Sequence, residues 1–222
     1  MELYYHPLSS YCWKVLIALY ENGTAFTPRM LEEPGVAEEW ARLWPIARFP
    51  ILRDGDAVIA ETSVIIEYLG LKAPGPFVPI PPDPDAAIEA RLMDRLLDNY
   101  VMTPLQAVVF EAVRPADANR DPHGVTQAKA MLAKAYAMIE TRMTGRSFAA
   151  GETMTLADCA AVPALFYADY ILPFRATHPT LAAYMARMEQ RPSVARVLAE
   201  KEPWFHNFPF AKGPPADAGP PD

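Results

Sequence analysis

The sequence predicts an α+β protein in which a small mixed domain is followed by an all-helical bundle. Strand and helix patterns alternate over residues 1–72, whereas strand patterns almost disappear beyond residue 86. Between these two parts, the stretch APGPFVPIPPDPD contains six prolines in thirteen residues. Prolines without a repeat interrupt helices and central strands alike, so residues 73–85 are predicted to form a semi-rigid linker.

The first domain is predicted to have the element order β-α-β-α-β-β-α. The apolar stretch ELYY is typical of a buried strand, and residues 10–22 place apolar side chains at helical spacing. Pro28 predicts that the next strand lies at a sheet edge, because proline cannot donate to an interior ladder. Two apolar runs flank Asp54-Gly55-Asp56, which predicts a hairpin, and Thr62 begins the last helix.

The second domain, residues 86–205, is predicted to be a helical bundle. Pro104 is expected to kink its first helix, because a proline removes a hydrogen bond from a helix interior. Thr155 and Asp158 have the spacing of a capping box, so we expect Asp158 to act in folding rather than in catalysis. Residues 206–222 are predicted to be a flexible tail.

Composition and charge disfavour several function classes. The net charge of −7 argues against nucleic acid or an anionic membrane as the main partner, since both select basic surfaces. The chain shows no secretion signal at its start and no apolar run long enough to span a bilayer. Two distant cysteines do not indicate a disulfide framework, and four scattered histidines indicate no metal site. We therefore expect a reduced, cytoplasmic protein.

The stretch HPLSSYCWKV places two serines and a cysteine at the beginning of the first helix. Ser9, Ser10 and Cys12 therefore lie where backbone N–H groups lack a helical partner and where the helix dipole is positive. Such a position favours an anion, and a thiolate is an anion. The residues also permit a simpler interpretation, in which a serine is only the N-cap of the helix.

Four segments in this order and spacing resemble the cytosolic glutathione transferases: SSYCWKVLIAL, FPIL, ETSVIIEYL and TLADCAAVPAL. The resemblance covers residues 1 to about 200 and is to serine-type bacterial members of that superfamily. It implies a thioredoxin-like N-terminal domain and an enzyme that stabilises the glutathione thiolate for attack on a small apolar electrophile. It also implies glutathione as co-substrate, no metal, and a homodimer.

The resemblance assigns the catalytic hydroxyl to Ser9, five positions before Lys14, the basic residue of the first helix. Ser10 is the neighbouring candidate. A serine that donates to the glutathione sulfur favours thiolate over thiol. Tyr5 lies near the place of the phenol in tyrosine-type members, and is also interpreted as a core aromatic. Cys12 is interpreted as a small buried residue, with a mixed disulfide to glutathione as the alternative.

The same resemblance places glutathione-binding residues in two further segments. Phe49 and Pro50 match a segment with a cis-proline before the third strand, where main-chain groups are offered to an extended peptide. Arg48 is expected either to pair with the glycyl carboxylate of glutathione or to be solvated surface. Glu61 matches the carboxylate that pairs with the γ-glutamyl ammonium. Thr62 matches the hydroxyl residue that donates to the α-carboxylate at a helix N-terminus.

Other functions are compatible with the sequence. The alternatives are a non-catalytic ligand-binding or adaptor protein with the same fold, a glutathione-dependent isomerase, and a thioltransferase. Compared with the redox motif C-x-x-C, the stretch SSYC has Cys12 at the position of the resolving cysteine and Ser9 at that of the attacking cysteine. A resolving cysteine without an attacking one disfavours dithiol chemistry. The electrophile is not identified, and candidates for its pocket wall are Tyr100, Met102, Thr103, Phe110 and the stretches YADYILPF and PWFHNFPF.

Overall fold

The structure, a computed structural model, describes residues 1–115 and 118–213. The first part contains strands and helices in the predicted order: β1 (Glu2–Tyr5), α1 (Ser10–Asn22), β2 (Thr27–Met30), α2 (Val36–Leu43), β3 (Ile51–Asp54), β4 (Ala57–Ile59) and α3 (Thr62–Lys72). The second part is helical: α4 (Pro84–Leu97), α5 (Thr103–Ala112), α6 (Pro122–Met143), α7 (Leu156–Asp169), α8 (Pro179–Glu189) and α9 (Pro192–Lys201). A π-helical segment, Asp98–Met102, joins α4 to α5, and a 3₁₀ segment, Glu202–Asn207, follows α9.

The four strands form one mixed sheet in the order β2-β1-β3-β4. β1 pairs in parallel with β2 and antiparallel with β3, so that Leu3 lies between Pro28 and Leu52. Pro28 is therefore on an edge strand, as predicted, where its missing N–H costs no interior hydrogen bond. The predicted β3–β4 hairpin is present and turns at Gly55, whose φ of 60° is a left-handed conformation that glycine adopts without strain.

The turn after β1 leads directly into α1, whose N-cap is Ser9. The Ser9 side chain accepts a hydrogen bond from the Cys12 amide at 3.3 Å, which satisfies one of the donors that a helix start leaves unpaired. α1 ends at Gly23, where φ is 66° and where the Gly23 and Thr24 amides bond to carbonyls of the last turn. Both ends of the helix are thus defined by local sequence, and the start of the helix fixes the position of Ser9 next to the sheet.

α7 is the central helix of the second domain, and every residue from Leu156 to Ala168 is buried. The predicted capping box is present at its start, with Asp158 accepting from the Thr155 amide at 2.8 Å. α7 packs against α1, and the Trp13 ring centre lies 5.0 Å from that of Phe166. The main apolar core therefore runs continuously from the sheet domain into the helical domain.

The connection between α4 and α5 lies just before Pro104, the residue at which the sequence predicts a kink. Pro104 has no N–H to donate to the preceding turn, and the Thr103 amide bonds to the Asp98 carbonyl, five residues back. The chain consequently widens into a π-helix over Asp98–Met102 before α5 begins. The proline therefore coincides with a change in the hydrogen-bond register of one turn.

The expectation of a flexible tail over residues 206–222 is wrong for the first part of that segment. The 3₁₀ segment continues to Asn207, and Phe208 is buried. The Phe208 ring centre lies 5.0 Å from that of Tyr167 on α7, so aromatic packing holds this stretch against the helical domain. Residues 214–222 lie outside the described residues.

Within the described ranges, no helix is long and apolar enough to cross a membrane.

Candidate active site

A cleft of about 610 Å³ lies between the sheet domain and the helical domain. On the sheet side it is lined by the turn before α1, the loop before β3 and the beginning of α3. All seven residues predicted to act in catalysis or glutathione binding line it: Ser9, Ser10, Arg48, Phe49, Pro50, Glu61 and Thr62. Three segments that are distant in the chain therefore meet at one surface.

Ser9 and Ser10 both line the cleft but have different hydrogen-bond partners. The Ser9 oxygen accepts from the Cys12 amide, which uses a lone pair and leaves the hydroxyl proton for donation. The Ser10 hydroxyl instead donates to the Met102 sulfur at 3.2 Å. The proton of Ser10 is thus directed at the helical domain, whereas that of Ser9 lies near the Cys12 thiol at the lining of the cleft.

The beginning of α3 presents Glu61 and Thr62 to the cleft. Glu61 is exposed and has a φ of 67°, a left-handed conformation that is uncommon for a residue with a side chain. Strained residues persist where the surrounding structure fixes them, and they are frequent at ligand sites. Thr62, the first residue of the helix, is only 8% exposed. Thr62 therefore belongs to the first turn of α3, whose backbone amides lack intrahelical partners.

The loop before β3 contains the expected cis peptide bond, between Phe49 and Pro50. The Phe49 ring centre lies 5.7 Å from that of Trp40 on α2, and Trp40 Nε1 donates to the Arg48 carbonyl at 3.3 Å. The Arg48 side chain is exposed. α2 therefore holds the main chain of this loop, while the Arg48 guanidinium remains in solvent at the cleft.

Tyr5 and Cys12 do not line the cleft. Tyr5 is 7% exposed and belongs to the main core, in agreement with its interpretation as a core aromatic. Cys12 is fully buried, and burial raises the pKa of its thiol to about 12, although hydrogen bonds from Ser9 and the His6 backbone oppose this rise. Near neutral pH such a cysteine carries almost no thiolate, which disfavours disulfide chemistry at Cys12.

A buried charge cluster lies where α1 meets α4 at the cleft. Lys14 is buried, and its Nζ lies 2.8 Å from Asp94 Oδ1 and 2.7 Å from Asp98 Oδ2. Burial raises the pKa of Asp98, and the charge of Asp94 adds to the rise. Burial also acts to raise the pKa of Asp94. The charge of Lys14 and hydrogen bonds from Lys14, Ser63 and Arg95 outweigh this effect and hold the pKa of Asp94 below its ordinary value. Arg95 donates to both carboxylates, so the cluster contains two cations and two anions.

The cluster is not a metal centre. Among residues 1–115 and 118–213, no group of three His, Cys, Asp or Glu side chains is placed to hold a metal ion.

The rest of the helical wall, within the described residues, is uncharged. It consists of Asn99, Met102, Leu105, Gln106, Val109, Phe110, Val113, Tyr167, Asn207, Phe208 and Pro209. Met102, Phe110 and the stretches YADYILPF, through Tyr167, and PWFHNFPF, through its residues 207–209, are sequence candidates that line the cleft, whereas Tyr100 and Thr103 do not line it. The lining residues from Asn99 to Val113 recur three or four positions apart, so Tyr100 and Thr103 lie on another face of the chain.

Sequence reasoning missed Arg95, Asp98 and Tyr11, which also line the cleft. Burial raises the pKa of Tyr11 to about 12, with Asp98 adding to the rise, so the phenol is protonated at neutral pH. A signal for Asp98 exists in the sequence, because Asp94 and Asp98 are four residues apart on a face that is otherwise apolar.

Family models for both domains of glutathione S-transferases match this chain. The N-terminal domain model matches residues 3–77, and the C-terminal domain model matches residues 107–187. The chain belongs to the cytosolic glutathione transferase superfamily. All seven predicted site residues fall within the first match.

Relatives in the superfamily are similar over most of their length. A stringent starvation protein A homolog of Pasteurella multocida is 28% identical over 206 residues, which are 91% of this chain and 92% of that protein. A glutathione S-transferase of Pseudomonas putida is 25% identical over 208 residues, covering 91% of this chain and 93% of that protein.

A solved structure is similar to this chain in both sequence and fold. A glutathione S-transferase of Methylobacterium radiotolerans, in complex with glutathione sulfonate, is 29% identical and has a TM-score of 0.76. The match covers 88% of this chain and 93% of that one. The two-domain arrangement described above is therefore the arrangement of the superfamily.

Proposed function

We propose that this protein is a glutathione transferase that binds glutathione in the interdomain cleft and directs its thiolate at a small, uncharged electrophile. The observation that carries the proposal is the meeting of Ser9, Pro50 and Glu61 in one cleft, beside the N-termini of two helices. The similar structure from Methylobacterium radiotolerans, bound to glutathione sulfonate, supports glutathione as the ligand class.

The tripeptide lies along the sheet side of the cleft. The Glu61 carboxylate pairs with the γ-glutamyl ammonium, and Thr62 donates to the α-carboxylate at the beginning of α3. The Phe49 main chain meets the extended backbone of the ligand. Arg48, exposed on the same loop, pairs with the glycyl carboxylate.

The thiol is activated at the start of α1. The Ser9 hydroxyl donates to the sulfur, and the positive end of the helix dipole lies beside it, so both stabilise the thiolate. The bound thiolate then attacks the electrophile held against the helical wall, and a carbon–sulfur bond forms as the leaving group departs. Placing both reactants in one cleft supplies the advantage of proximity.

Isothermal titration calorimetry with reduced glutathione tests the proposal. Glu61→Ala is expected to weaken binding roughly ten- to a hundredfold, because a hydrogen bond to a charged group contributes about 1.5–3 kcal/mol. Glu152→Ala, which removes an exposed carboxylate outside the cleft, should leave binding unchanged. Absence of heat with the wild-type protein, together with no thermal stabilisation by glutathione, would reject the proposal.

A non-catalytic binding protein is the second candidate. The observation that favours it is the similarity to a stringent starvation protein A homolog. Glutathione binding without formation of a thioether from any of a panel of electrophiles would support this candidate over the transferase.

The lining of the cleft predicts that the electrophile is uncharged. Arg95 is neutralised by two carboxylates, and the remaining helical wall offers no cation among the described residues. A buried carboxylate without a partner is costly. Chlorodinitrobenzene is therefore expected to show a larger acceleration over its uncatalysed rate than the carboxylate-bearing chlorodinitrobenzoate. Equal accelerations would contradict this prediction.

The expected homodimer is proposed to use one face of α3, α4 and α6. Six exposed apolar side chains lie on these helices: Val64, Leu71, Ile88, Leu92, Met131 and Met138. Bidentate ion pairs join α3 to α4 and α4 to α6, which brings these side chains to a shared face. Ile88→Asp should convert a dimer to a monomer in size-exclusion chromatography with light scattering. Val78→Asp, an exposed linker position, should not.

A further inference from the structure

The turn that leads into α1 carries Ser9, and side chains from outside the turn hold its main chain. Trp13 Nε1 donates to the Pro7 carbonyl at 2.6 Å. The Tyr167 hydroxyl of α7 donates to the Leu8 carbonyl at 2.6 Å. The place of the hydroxyl therefore depends on the packing of α1 and α7 against this turn.

His6 supplies the remaining contacts of the turn. Its Nδ1 accepts from the Leu8 amide at 3.0 Å, and its carbonyl accepts from the Ser9 amide at 3.0 Å. Its Nε2 lies 2.9 Å from a Glu32 carboxylate oxygen. An imidazole that accepts at one nitrogen and donates at the other is neutral, so Glu32 selects the form with the proton on Nε2.

The groups around His6 keep it neutral near pH 7. Its ring lies edge-on to Trp204 of the 3₁₀ segment, with ring centres 4.9 Å apart. Glu32, after β2, is the charged group that faces the ring, and the buried Cys12 thiol lies against the His6 backbone, whose hydrogen bond to it acts to lower the pKa of the thiol. Burial lowers the pKa of His6, and the opposing effect of Glu32 does not overcome it.

We propose that His6 is a positioning residue for Ser9: the neutral imidazole holds the Leu8 amide and so fixes the hydroxyl toward the glutathione sulfur. The catalytic consequence of this role rests on the proposed function. A protonated imidazole carries N–H at both nitrogens and has no acceptor for the Leu8 amide. Acid therefore removes an orienting contact in addition to protonating the thiolate of glutathione.

The chain offers a variant that separates this role from general packing. The His6 contact joins a side chain to the amide two residues further on, which is the geometry that an asparagine forms in an Asx turn. His6→Asn therefore supplies an acceptor that does not titrate, whereas His6→Leu fills space without one. His123→Leu, at an exposed position of α6, is the matched control.

Steady-state kinetics with glutathione and chlorodinitrobenzene compares these variants. His6→Leu is expected to lower kcat roughly ten- to a hundredfold with little change in the KM for glutathione, since a small misplacement of a reacting group is costly and Glu61 is untouched. His6→Asn should keep kcat within about threefold of wild type, and His123→Leu should change neither constant. In a plot of log kcat against pH, the acid limb should be steeper for wild type than for His6→Asn. In wild type, protonation of the glutathione thiolate and of His6 both reduce turnover, whereas in His6→Asn only protonation of the thiolate does.

Amide hydrogen exchange of Leu8 and Ser9, followed by NMR, tests the positioning role without turnover. Protection is expected to fall in His6→Leu and to persist in His6→Asn. If wild type neither binds nor turns over glutathione while this pattern holds, the proposed function fails and the positioning role stands. Equal kcat values for the Leu and Asn variants, or equal acid limbs for wild type and His6→Asn, would overturn the role. If His6→Leu does not fold, the positioning role is tested by comparing kcat and the acid limb of the pH profile between wild type and His6→Asn.

Discussion

The adjacent hydroxyls of Ser9 and Ser10, at the start of α1, have different hydrogen-bond acceptors within reach. The Ser9 oxygen accepts from the Cys12 amide, while its proton lies near the Cys12 thiol and the cleft and can be donated to a bound sulfur. The Ser10 proton goes to the thioether of Met102, which lies in the π-helical segment of the other domain. The N-cap interpretation and the catalytic interpretation of Ser9 are therefore compatible, because capping uses the oxygen and catalysis uses the proton.

Ser9→Ala is expected to raise the pKa of the bound glutathione thiol and to lower kcat roughly ten- to a hundredfold, because one hydrogen bond to an anion is lost. Ser10→Ala should lower kcat less than about threefold, since a bond to a thioether is weak. Ultraviolet titration of the bound thiolate and steady-state kinetics measure both effects. The opposite order would transfer the role to Ser10, and no effect in either variant would remove the serine mechanism.

At the scale of the elements, one carboxyl anchors the beginning of α7. Asp158 accepts from the Ala149 and Thr155 amides, each at 2.8 Å, and from the Tyr184 hydroxyl of α8 at 2.9 Å. Burial raises its pKa to about 6, although these three hydrogen bonds oppose the rise. The capping box thus joins the preceding loop, α7 and α8, and its effect extends beyond a single helix end.

Asp158→Ala is expected to lower the free energy of unfolding by about 3 kcal/mol or more, because three buried donors lose their acceptor. Asp83→Ala, which removes the exposed N-cap of α4, should cost about 1 kcal/mol. Urea denaturation measures both values. Similar small losses for the two variants would show that Asp158 is only a local cap.

The effect of Asp158→Ala should also depend on pH. The folded pKa of Asp158 lies above that of an unfolded aspartate, so its protonated form is favoured by folding. Its contribution is fully present below about pH 4 and is lost as pH rises through about 6. The destabilisation is therefore expected to be larger at about pH 5 than at about pH 7.

At the scale of the whole molecule, the buried charge cluster joins the two domains beneath the cleft. Lys14 comes from the sheet domain, whereas Asp94 and Asp98 come from α4 and its π-helical continuation. The apolar core crosses the same boundary. Removal of the lysine leaves two carboxylates that, among the described residues, Arg95 continues to neutralise.

Lys14→Met is expected to lower the free energy of unfolding by about 3–5 kcal/mol, because one partner of a buried ion pair is removed. Lys134→Met, at an exposed position of α6, should change it by less than about 0.5 kcal/mol. Thermal and urea denaturation provide the comparison. A loss below about 1 kcal/mol for Lys14→Met would mean that Arg95 alone balances the carboxylates.

The sequence by itself determined the features that depend on neighbours in the chain. Pro28 indicated an edge strand, Gly55 a hairpin, and Thr155 with Asp158 a capping box, because each expresses a backbone constraint within a few residues. Resemblance to the superfamily added the site residues, all of which line the cleft.

The tertiary structure alone decided which polar groups meet. Lys14 pairs with Asp98, His6 with Glu32 and Tyr167 with Leu8, and none of these pairs follows from residue type or local spacing. The burial of Phe208 likewise depends on packing against Tyr167 of α7, a residue distant in the chain. Hydrogen bonds and ion pairs form only between groups brought to about 3 Å, and the folding of the whole chain sets those distances.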